Sequence, residues 1–170
     1  IDFHLNGLEK MGAEIKSDSK YIYLKADKLK PIEFEFPKIS VTGTENLMMA
    51  AVFTEGKTTL KNCAKEPEVV ELANFLNKCG ASIHGAGEST IEITGVDSLG
   101  SVEWDVLFDR IEAGTYLVAG AITNGHITVK RIKPKTIQVL TNKLIEMGIN
   151  VSYGENWVEA DATSSEITCV

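Results

Sequence analysis

Stretches of the chain share one pattern, in which a helical spacing of apolar residues ends at a glycine and a short strand follows. They are GLEKMGAEI at 7–15, NFLNKCGASI at 74–83 and KLIEMGINV at 143–151. A glycine directly after a helical pattern is typical of a left-handed C-cap, so Gly12, Gly80 and Gly148 predict helix ends. Their equal spacing of about 68 residues indicates an internal repeat.

An alternating segment follows each of these glycines. Apolar and polar residues alternate in YIYLKA (21–26), TIEITG (90–95) and WVEADA (157–162), which predicts half-exposed strands. The intervening turns KSDSK, HGAGES and YGEN have the composition of hairpin loops. Each repeat is therefore predicted to end in a β-hairpin.

A second pair of matching segments completes the repeat. LMMAAVFTEGKTTLKN (47–62) and YLVAGAITNGHITVKR (116–131) each predict an apolar helix, a glycine turn and an alternating strand. IEFEF (32–36) and VEWDVL (102–107) predict the opening strands. The full unit reads strand–helix–strand–helix–strand–strand, a mixed α/β (α+β) class. The chain opens in mid-unit, and SEITCV (165–170) is predicted to open another unit, so we expect the chain to be a fragment.

The helix predicted over 111–123 has a polar entrance. Asp109 is a good N-cap residue and Glu112 suits the positive end of the helix dipole, whereas the cation of Arg110 is misplaced there without a nearby anion. Either Arg110 forms an ion pair with a carboxylate, or it belongs to a functional anion site or a domain contact. A buried stripe is predicted for this helix and comprises Ile111, Leu117, Val118, Ala121 and Ile122.

Composition excludes several classes of function. The chain has 170 residues, 44% of them hydrophobic, and its net charge of −7 argues against nonspecific nucleic-acid binding. No apolar run approaches the ~18 residues of a membrane span. The cysteines (Cys63, Cys79, Cys169) and histidines (His4, His84, His126) are scattered. We therefore expect no metal site. We also expect the thiols to be reduced, as is usual in a cytoplasmic protein.

Four further segments carry a resemblance to a known family: IDFHLNGLEKMGA, KISVTGTENLMMAA, EGKTTLKNCAKEPEVVELANFLNKCGA and DRIEAGTYLVAGAI. The chain resembles the middle of the UDP-N-acetylglucosamine 1-carboxyvinyltransferase (enolpyruvyl-UDP-GlcNAc synthase) family. The resemblance implies an inside-out α/β barrel of the enolpyruvyl transferase type, with two lobes of three units each. Residues 1–106 would be part of the first, nucleotide-sugar-binding lobe and 107–170 the first unit of the second. A hinge is expected at 106–108.

The same resemblance implies a reaction. The enolpyruvyl group of phosphoenolpyruvate would pass to the 3′-hydroxyl of UDP-N-acetylglucosamine, by addition and then elimination of phosphate, as the first committed step of peptidoglycan synthesis. The resemblance implies that the reaction uses no cofactor. The reaction needs cations around the two anionic substrates, and acid–base groups for proton transfer.

The resemblance also assigns substrate-binding residues. It places the uridine diphosphate on Lys38, Ile39, Ser40 and Val41, and the uridine on a segment that ends in Ile1, Asp2 and Phe3. Without it, Ser40 or Thr42 would be read as an N-cap with Lys38 solvated, and Asp2 is also a plausible N-cap. The family commonly reads VSVGAT where this chain reads ISVTGT, so Gly43 is displaced by one position.

Support residues at the cleft or hinge are expected to be Glu66, Asp109, Arg110 and Glu112. No catalytic residue is expected within the chain. The resemblance puts the reactive Cys, in a Pro-Gly-Gly-Cys loop, before Ile1 and the general-base Asp beyond Val170. Cys63, Cys79 and Cys169 do not match the reactive Cys.

Two alternatives to such a transferase stay open. The chain could be a noncatalytic repeat module that binds a nucleotide-sugar or a protein, or it could belong to a related synthase. The related synthase of 5-enolpyruvylshikimate 3-phosphate shares the fold but lacks the AKEPEVVELANFL and DRIEAGT motifs in this form.

Overall fold

Helices and strands alternate along the chain in the computed structural model, which describes residues 1–166 and 168. The described residues fall into two compact units, Ile1–Asp105 and from Val106 onward. The first unit contains α1 (Asp2–Lys10), β1 (Glu14–Ser17), β2 (Ile22–Lys25), β3 (Glu33–Glu35), α2 (Val41–Ala51), β4 (Lys57–Lys61), α3 (Pro67–Lys78), β5 (Ser82–His84) and β6 (Thr90–Thr94). The second contains α4 (Arg110–Ile122), β7 (His126–Lys130), a 3-10 turn (Pro134–Ile137), α5 (Gln138–Glu146), β8 (Asn150–Tyr153) and β9 (Trp157–Asp161). The mixed α/β class is thus confirmed.

The predicted glycine-terminated helix ends are built alike. Gly12, Gly80 and Gly148 have φ of 96°, 109° and 90°, the left-handed region that favours glycine. In each case the residue after the glycine donates its N–H across the helix end: Ala13 to Leu8 O, Ala81 to Leu76 O and Ile149 to Leu144 O, all at 3.0 Å. This bond is that of a Schellman C-cap, so the repeat deduced from sequence is a structural repeat.

The main sheet of the first unit has the strand order β3-β4-β6-β5. Strands β3 and β4 are parallel and α2 connects them, whereas β6 is antiparallel to both of its neighbours. Alternation buries Leu60 opposite Ile91, and Ile93 is also fully buried. Helices α2 and α3 cover these side chains with Leu47, Met48, Val69 and Ala73. Hairpin β1–β2 forms a separate small sheet.

The second unit repeats this plan with the strand order β7-β9-β8. Val158 and Ala160 of β9 face Leu117 of α4 and Leu144 of α5 in one buried cluster. Glycines let α4 lie close to its neighbours, because a Cβ at Gly114 would strike Leu140 and one at Gly120 would strike Ile127. Within the described residues, no helix has the length and apolar character needed to span a membrane.

The prediction of an opening strand at 102–107 is wrong, because this segment has no regular secondary structure. It is held by side chains on α3 instead, where Trp104 Nε1 donates to Glu71 Oε1 at 3.0 Å. The strand predicted at 165–170 lies partly outside the described residues, since Ile167, Cys169 and Val170 are not among them. Residues 165, 166 and 168 have no strand structure.

Part of the buried stripe predicted for α4 is also wrong. Leu117 and Ala121 are buried and Val118 is half-buried, but Ile111 is 61% exposed and Ile122 is 73% exposed. At about 100° per residue, both isoleucines lie more than 100° around the helix from Leu117, which faces the sheet. Ile111 instead lines an open groove of about 830 Å³ between α4 and α5.

Candidate functional site

Helices α2 and α3 begin at the same end of the first unit. Because β3 and β4 are parallel, the loops that follow them lie side by side. Phe36 N–H donates to Lys61 O at 3.0 Å, and Asn62 Nδ2 donates to Phe36 O at 2.8 Å. The carboxyl ends of parallel strands are a common place for ligands, and helix N-termini there add exposed N–H groups and positive dipole ends.

The predicted nucleotide loop forms the start of α2. Ser40 is the N-cap, and its Oγ accepts from Gly43 N–H at 3.1 Å. The hydroxyl of buried Thr44 donates to Ser40 O at 2.8 Å and accepts from Ala64 N–H at 3.1 Å, which ties the loop to the segment before α3. Lys38 and Ile39 are exposed beside this fixed backbone. These hydrogen bonds therefore hold the loop in place, and the charge of Lys38 faces solvent.

The displaced glycine has a packing role. A Cβ at Gly43 would come within 2.8 Å of Ser40 Oγ and 3.1 Å of Phe36 Cε1. A larger residue there would push the N-cap away from the helix. Thus the ISVTGT sequence keeps Lys38 and Ser40 next to a capped helix N-terminus, although Gly43 stands one place later than in the related pattern.

Helix α1 starts beside α2. His4 Nδ1 lies 3.0 Å from Asn46 Nδ2, and His4 Nε2 lies 3.4 Å from Thr42 Oγ1. One turn further along α1, Gly7 is buried where any side chain would strike Leu47 of α2. The N-termini of α1, α2 and α3 are therefore neighbours.

The predicted uridine segment lies at this helix start. The N-cap of α1 is Ile1, which is 76% exposed, and its side chain makes no capping bond. The suggestion that Asp2 is the N-cap is wrong: Asp2 is the first helical residue, where its charge suits the helix dipole. Phe3 is half-buried and packs on the core.

A group of carboxylates adjoins the same end. Burial and the nearby charges of Glu68 and Glu66 raise the pKa of Glu45 above its ordinary value. Glu66 is the N-cap residue of α3 without a side-chain capping bond, Pro67 follows it, and Glu68 lies in the first turn. Glu66 Oε2 is a buried atom without a hydrogen-bond partner among the described residues. This oxygen is suited to accept a hydrogen bond from a ligand hydroxyl or a water.

This end of the first unit has one region that favours anions and another that favours hydrogen-bond donors. Lys38 and the N–H groups of α2 favour an anion, whereas Glu45, Glu66 and Glu68 repel one and favour hydrogen-bond donors. A ligand with both an anionic group and free hydroxyls matches this arrangement. Among the described residues, no group of His, Cys, Asp and Glu has the geometry to hold a metal ion.

The remaining predicted residues belong to the second unit. Asp109 is the N-cap of α4, and its Oδ1 accepts from Ile111 N–H at 2.8 Å and from Glu112 N–H at 3.0 Å. Glu112 lies in the first turn, as predicted, and Arg110 is half-buried beside it. The partner carboxylate of Arg110 stays a prediction.

Sequence reasoning missed several residues of this site. Within the first unit, the structure brings Ile1–Phe3, Lys38–Val41 and Glu66 to one end, together with His4, Asn46 and Glu45. Helical spacing alone does not distinguish these last three from ordinary polar surface positions. Their position between neighbouring helices depends on how α1, α2 and α3 pack.

The fold is similar to that of two solved enzymes, an enolpyruvyl transferase and an EPSP synthase. The enolpyruvyl transferase NikO from Streptomyces tendae is similar with a TM-score of 0.79 at 23% identity, over 94% of this chain and 41% of that one. The EPSP synthase from Acinetobacter baumannii is similar with a TM-score of 0.64 at 19% identity, over 95% of this chain and 39% of that one. These likenesses concern the fold alone.

Relatives by sequence are closer. The chain is 50% identical over 162 residues to UDP-N-acetylglucosamine 1-carboxyvinyltransferase of Coxiella burnetii, both in strain Dugway 5J108-111 and in strain RSA 331 / Henzerling II. The match covers 95% of this chain and 37% of the length of those relatives. The family profile of EPSP synthase (3-phosphoshikimate 1-carboxyvinyltransferase) matches residues 1–169. The chain therefore belongs to the EPSP synthase family of enolpyruvyl transferases.

Proposed function

We propose that the chain is part of a cytoplasmic enzyme of peptidoglycan synthesis that transfers the enolpyruvyl group of phosphoenolpyruvate to the 3′-hydroxyl of UDP-N-acetylglucosamine. A C–O bond forms between that hydroxyl and the central carbon of phosphoenolpyruvate, and the C–O bond to phosphate then breaks. The hydroxyl loses its proton to a base as the C–O bond forms, the methylene carbon gains a proton in the addition and loses one in the elimination, and phosphate leaves. No cofactor takes part.

The observation that carries this proposal is the end of the first unit where α1, α2 and α3 begin. A diphosphate would lie against Lys38, Ile39, Ser40 and Val41, since a helix N-terminus and a lysine stabilise negative charge. Free sugar hydroxyls would donate to the carboxylate of Glu66, whose buried oxygen lacks a partner among the described residues. Ile1, Asp2 and Phe3 would contact the uridine beside this loop.

The second unit would supply a cation and its supports. Asp109 fixes the start of α4, and Arg110 would face the anionic substrates, supported by Glu112. We propose further that residues 1–106 belong to a first lobe and 107–170 to a second, each lobe an inside-out α/β barrel. The 50% identity to UDP-N-acetylglucosamine 1-carboxyvinyltransferase supports this assignment.

A titration of the 170-residue chain tests the binding part of the proposal. Amide resonances of Lys38–Val41 are followed by NMR as UDP-N-acetylglucosamine is added, with UDP and N-acetylglucosamine as separate probes. We expect the shifts to concentrate at these residues with both the nucleotide-sugar and UDP. If the shifts are absent or spread evenly over the surface, the assignment of the diphosphate loop is wrong.

Activity needs its own test, because the reactive Cys and the general-base Asp are expected outside the chain. The isolated chain should release no phosphate from the two substrates, whereas a longer protein that contains it should release phosphate and form the enolpyruvyl ether. Binding without activity in that longer protein would favour a noncatalytic nucleotide-sugar module.

The family profile raises a second candidate acceptor, 3-phosphoshikimate. The same assay with 3-phosphoshikimate in place of the nucleotide-sugar separates the two acceptors. We expect turnover only with UDP-N-acetylglucosamine, and turnover with 3-phosphoshikimate alone would overturn the proposed substrate.

A further inference from the structure

The structural repeat has a β-hairpin in each copy that the described residues contain. The hairpins are β1–β2, β5–β6 and β8–β9, and each follows a helix that ends at a left-handed glycine. One cross-strand pair occupies the same place in each of them: Ile15 and Leu24, Ile83 and Ile93, and Val151 and Ala160. Residues of the hairpins can therefore be compared one by one.

A further strand pairs with two of these hairpins. Strand β4 pairs with β6 and β7 pairs with β9, both antiparallel and both over five residue pairs. Each of these strands precedes, along the chain, the helix that leads into its hairpin. Strand β2 is the counterpart of β6 and β9, and among the described residues it pairs with β1 alone. The first hairpin thus has an open edge where the other two have a strand.

The apolar side chains of β2 are exposed. Ile22 is 39% exposed and Leu24 is 45% exposed. Their counterparts in the other hairpins are fully buried: Ile91 and Ile93 in β6, and Val158 and Ala160 in β9. Strand β2 thus has the apolar positions of a strand inside a sheet, and these positions lie open.

The N–H groups of Ile22 and Leu24 point to the open edge. Asp18 N–H donates to Tyr21 O at 3.0 Å, which makes these two residues a hydrogen-bonded pair of the hairpin. Bonded and non-bonded pairs alternate along an antiparallel ladder, so the next pair, Ser17 and Ile22, is not bonded. The N–H groups of Ile22 and, two residues later, Leu24 therefore point away from β1.

The other hairpins show what this edge bonds to. Gly95 and Ala162 directly follow β6 and β9, on the edge that corresponds to the open edge of β2. Gly95 N–H donates to Gly56 O, just before β4, and Ala162 N–H donates to Gly125 O, just before β7, both at 2.9 Å. In both complete copies the edge therefore donates its hydrogen bonds to the backbone of an earlier strand.

We propose that the open edge of β2 binds a further β-strand of the β4 and β7 type, antiparallel to β2. Both of those strands are five residues long, and their sequences KTTLK and HITVK end alike in threonine, an aliphatic residue and lysine. Such a strand would accept hydrogen bonds from the N–H groups of Ile22 and Leu24 and would cover their side chains. Unpaired edges of this kind are templates for strand addition.

The bound strand is expected to belong to the same polypeptide, in a longer protein that contains the chain. Since β4 and β7 precede their helices, this strand should precede α1. The relatives from Coxiella burnetii are long enough to supply it, because the match spans 37% of their length. The inference goes beyond the proposed function, since it rests on the repeat and holds whichever reaction the longer protein performs.

Amide hydrogen exchange, followed by NMR in the 170-residue chain and in such a longer protein, tests the pairing. The amides of Ile22 and Leu24 should exchange about 100-fold more slowly in the longer protein. The amides of Ile91 and Ile93, which β4 already pairs, are internal controls and should be protected in both proteins. Equally fast exchange of Ile22 and Leu24 in the two proteins would overturn the proposal. Protection that grows with the concentration of the 170-residue chain would instead identify a second copy as the occupant and would also overturn it.

A matched pair of substitutions tests which face of β2 is covered. Tyr23 and Leu24 are neighbours with similar exposure, 54% and 45%, but they point to opposite faces of the hairpin. In the 170-residue chain, Tyr23→Asn and Leu24→Asn should lower the melting temperature by similar amounts. In the longer protein, Leu24→Asn should lower it at least ~5 °C further than Tyr23→Asn, because it would bury an amide under the added strand. Equal shifts in the longer protein would show that the face of Leu24 stays open, and the proposal would fail.

Discussion

Ser40 and Asp109 occupy the same position in two copies of the repeat, and each caps the helix that follows it. Ser40 Oγ accepts from Gly43 N–H at 3.1 Å, and Asp109 Oδ1 accepts from Ile111 N–H at 2.8 Å and Glu112 N–H at 3.0 Å. The neutral cap stands in the unit where we place the diphosphate, and the charged cap stands next to Arg110. The same backbone device thus supports opposite electrostatic surroundings.

Removal of either cap should destabilise its own unit. Ser40→Ala or Asp109→Ala leaves an N–H of the first helical turn without its side-chain acceptor, which costs about 0.5–2 kcal/mol. Chemical denaturation measures the free energy of unfolding. Ser101→Ala, at an exposed position outside the helices, is the control and should change it by less than ~0.5 kcal/mol. Equal effects of Ser40→Ala and Ser101→Ala would show that the cap adds nothing.

Glu45 should make the protein less stable as the pH rises. Its pKa is raised in the folded state by burial and by the charges of Glu68 and Glu66, so the folded protein binds a proton more tightly than the unfolded chain does. Stability therefore falls as the pH rises from the unfolded to the folded pKa, and the loss persists above it. Glu45→Gln should increase stability at neutral pH and flatten this dependence.

The matched control for Glu45 is Glu9→Gln, at an exposed helical position of α1. Thermal melts between about pH 4, close to the ordinary pKa of a glutamate carboxyl, and about pH 8 measure the difference. A Glu45→Gln variant that is less stable than the parent at neutral pH would contradict the prediction.

Lys38→Ala should weaken binding of the nucleotide-sugar in a longer, active protein. A charge-assisted contact to phosphate contributes about 1.5–3 kcal/mol, so KM for UDP-N-acetylglucosamine should rise roughly 10- to 150-fold with a smaller change in kcat. Lys20→Ala, in the β1–β2 turn, should leave both constants unchanged. An unchanged KM would show that Lys38 does not contact the substrate.

Arg110→Ala should impair turnover in that longer protein more than it impairs folding. Surface ion pairs contribute only about 0–1 kcal/mol to stability, whereas a cation that faces two anionic substrates acts on each step that involves them. Steady-state kinetics and melting temperature are measured together, with Lys135→Ala in the 3-10 turn as control. A large fall in melting temperature with normal turnover would establish a structural role for Arg110.

Cys63 should be unreactive in the folded protein. Burial raises the pKa of its thiol to about 11, and the side chain is 1% exposed. The thiolate is the reacting form, so alkylation at pH 8 should be slower by about two orders of magnitude than in the denatured chain. Peptide mass spectrometry after iodoacetamide treatment, with and without urea, measures the rate at this residue. Rapid alkylation in the native state would contradict the burial.

The sequence by itself determined the repeat and its element types. Glycines after amphipathic helices set C-caps at Gly12, Gly80 and Gly148, and alternation set the hairpin strands, because both signals depend on residues close in the chain. The capping roles of Ser40 and Asp109 are local for the same reason. Family resemblance then supplied the substrate assignment, which remains a proposal.

Only the tertiary structure decided where residues distant in the chain meet. The segment at 102–107 has a strand-like pattern, yet Trp104 contacts Glu71 and Phe75 on α3 and the segment does not pair with a strand. Ile111 and Ile122 are apolar, yet they point away from the sheet, because Leu117 fixes the rotation of α4. His4 and Glu45 joined the candidate site through helix packing, which periodicity along one chain does not encode.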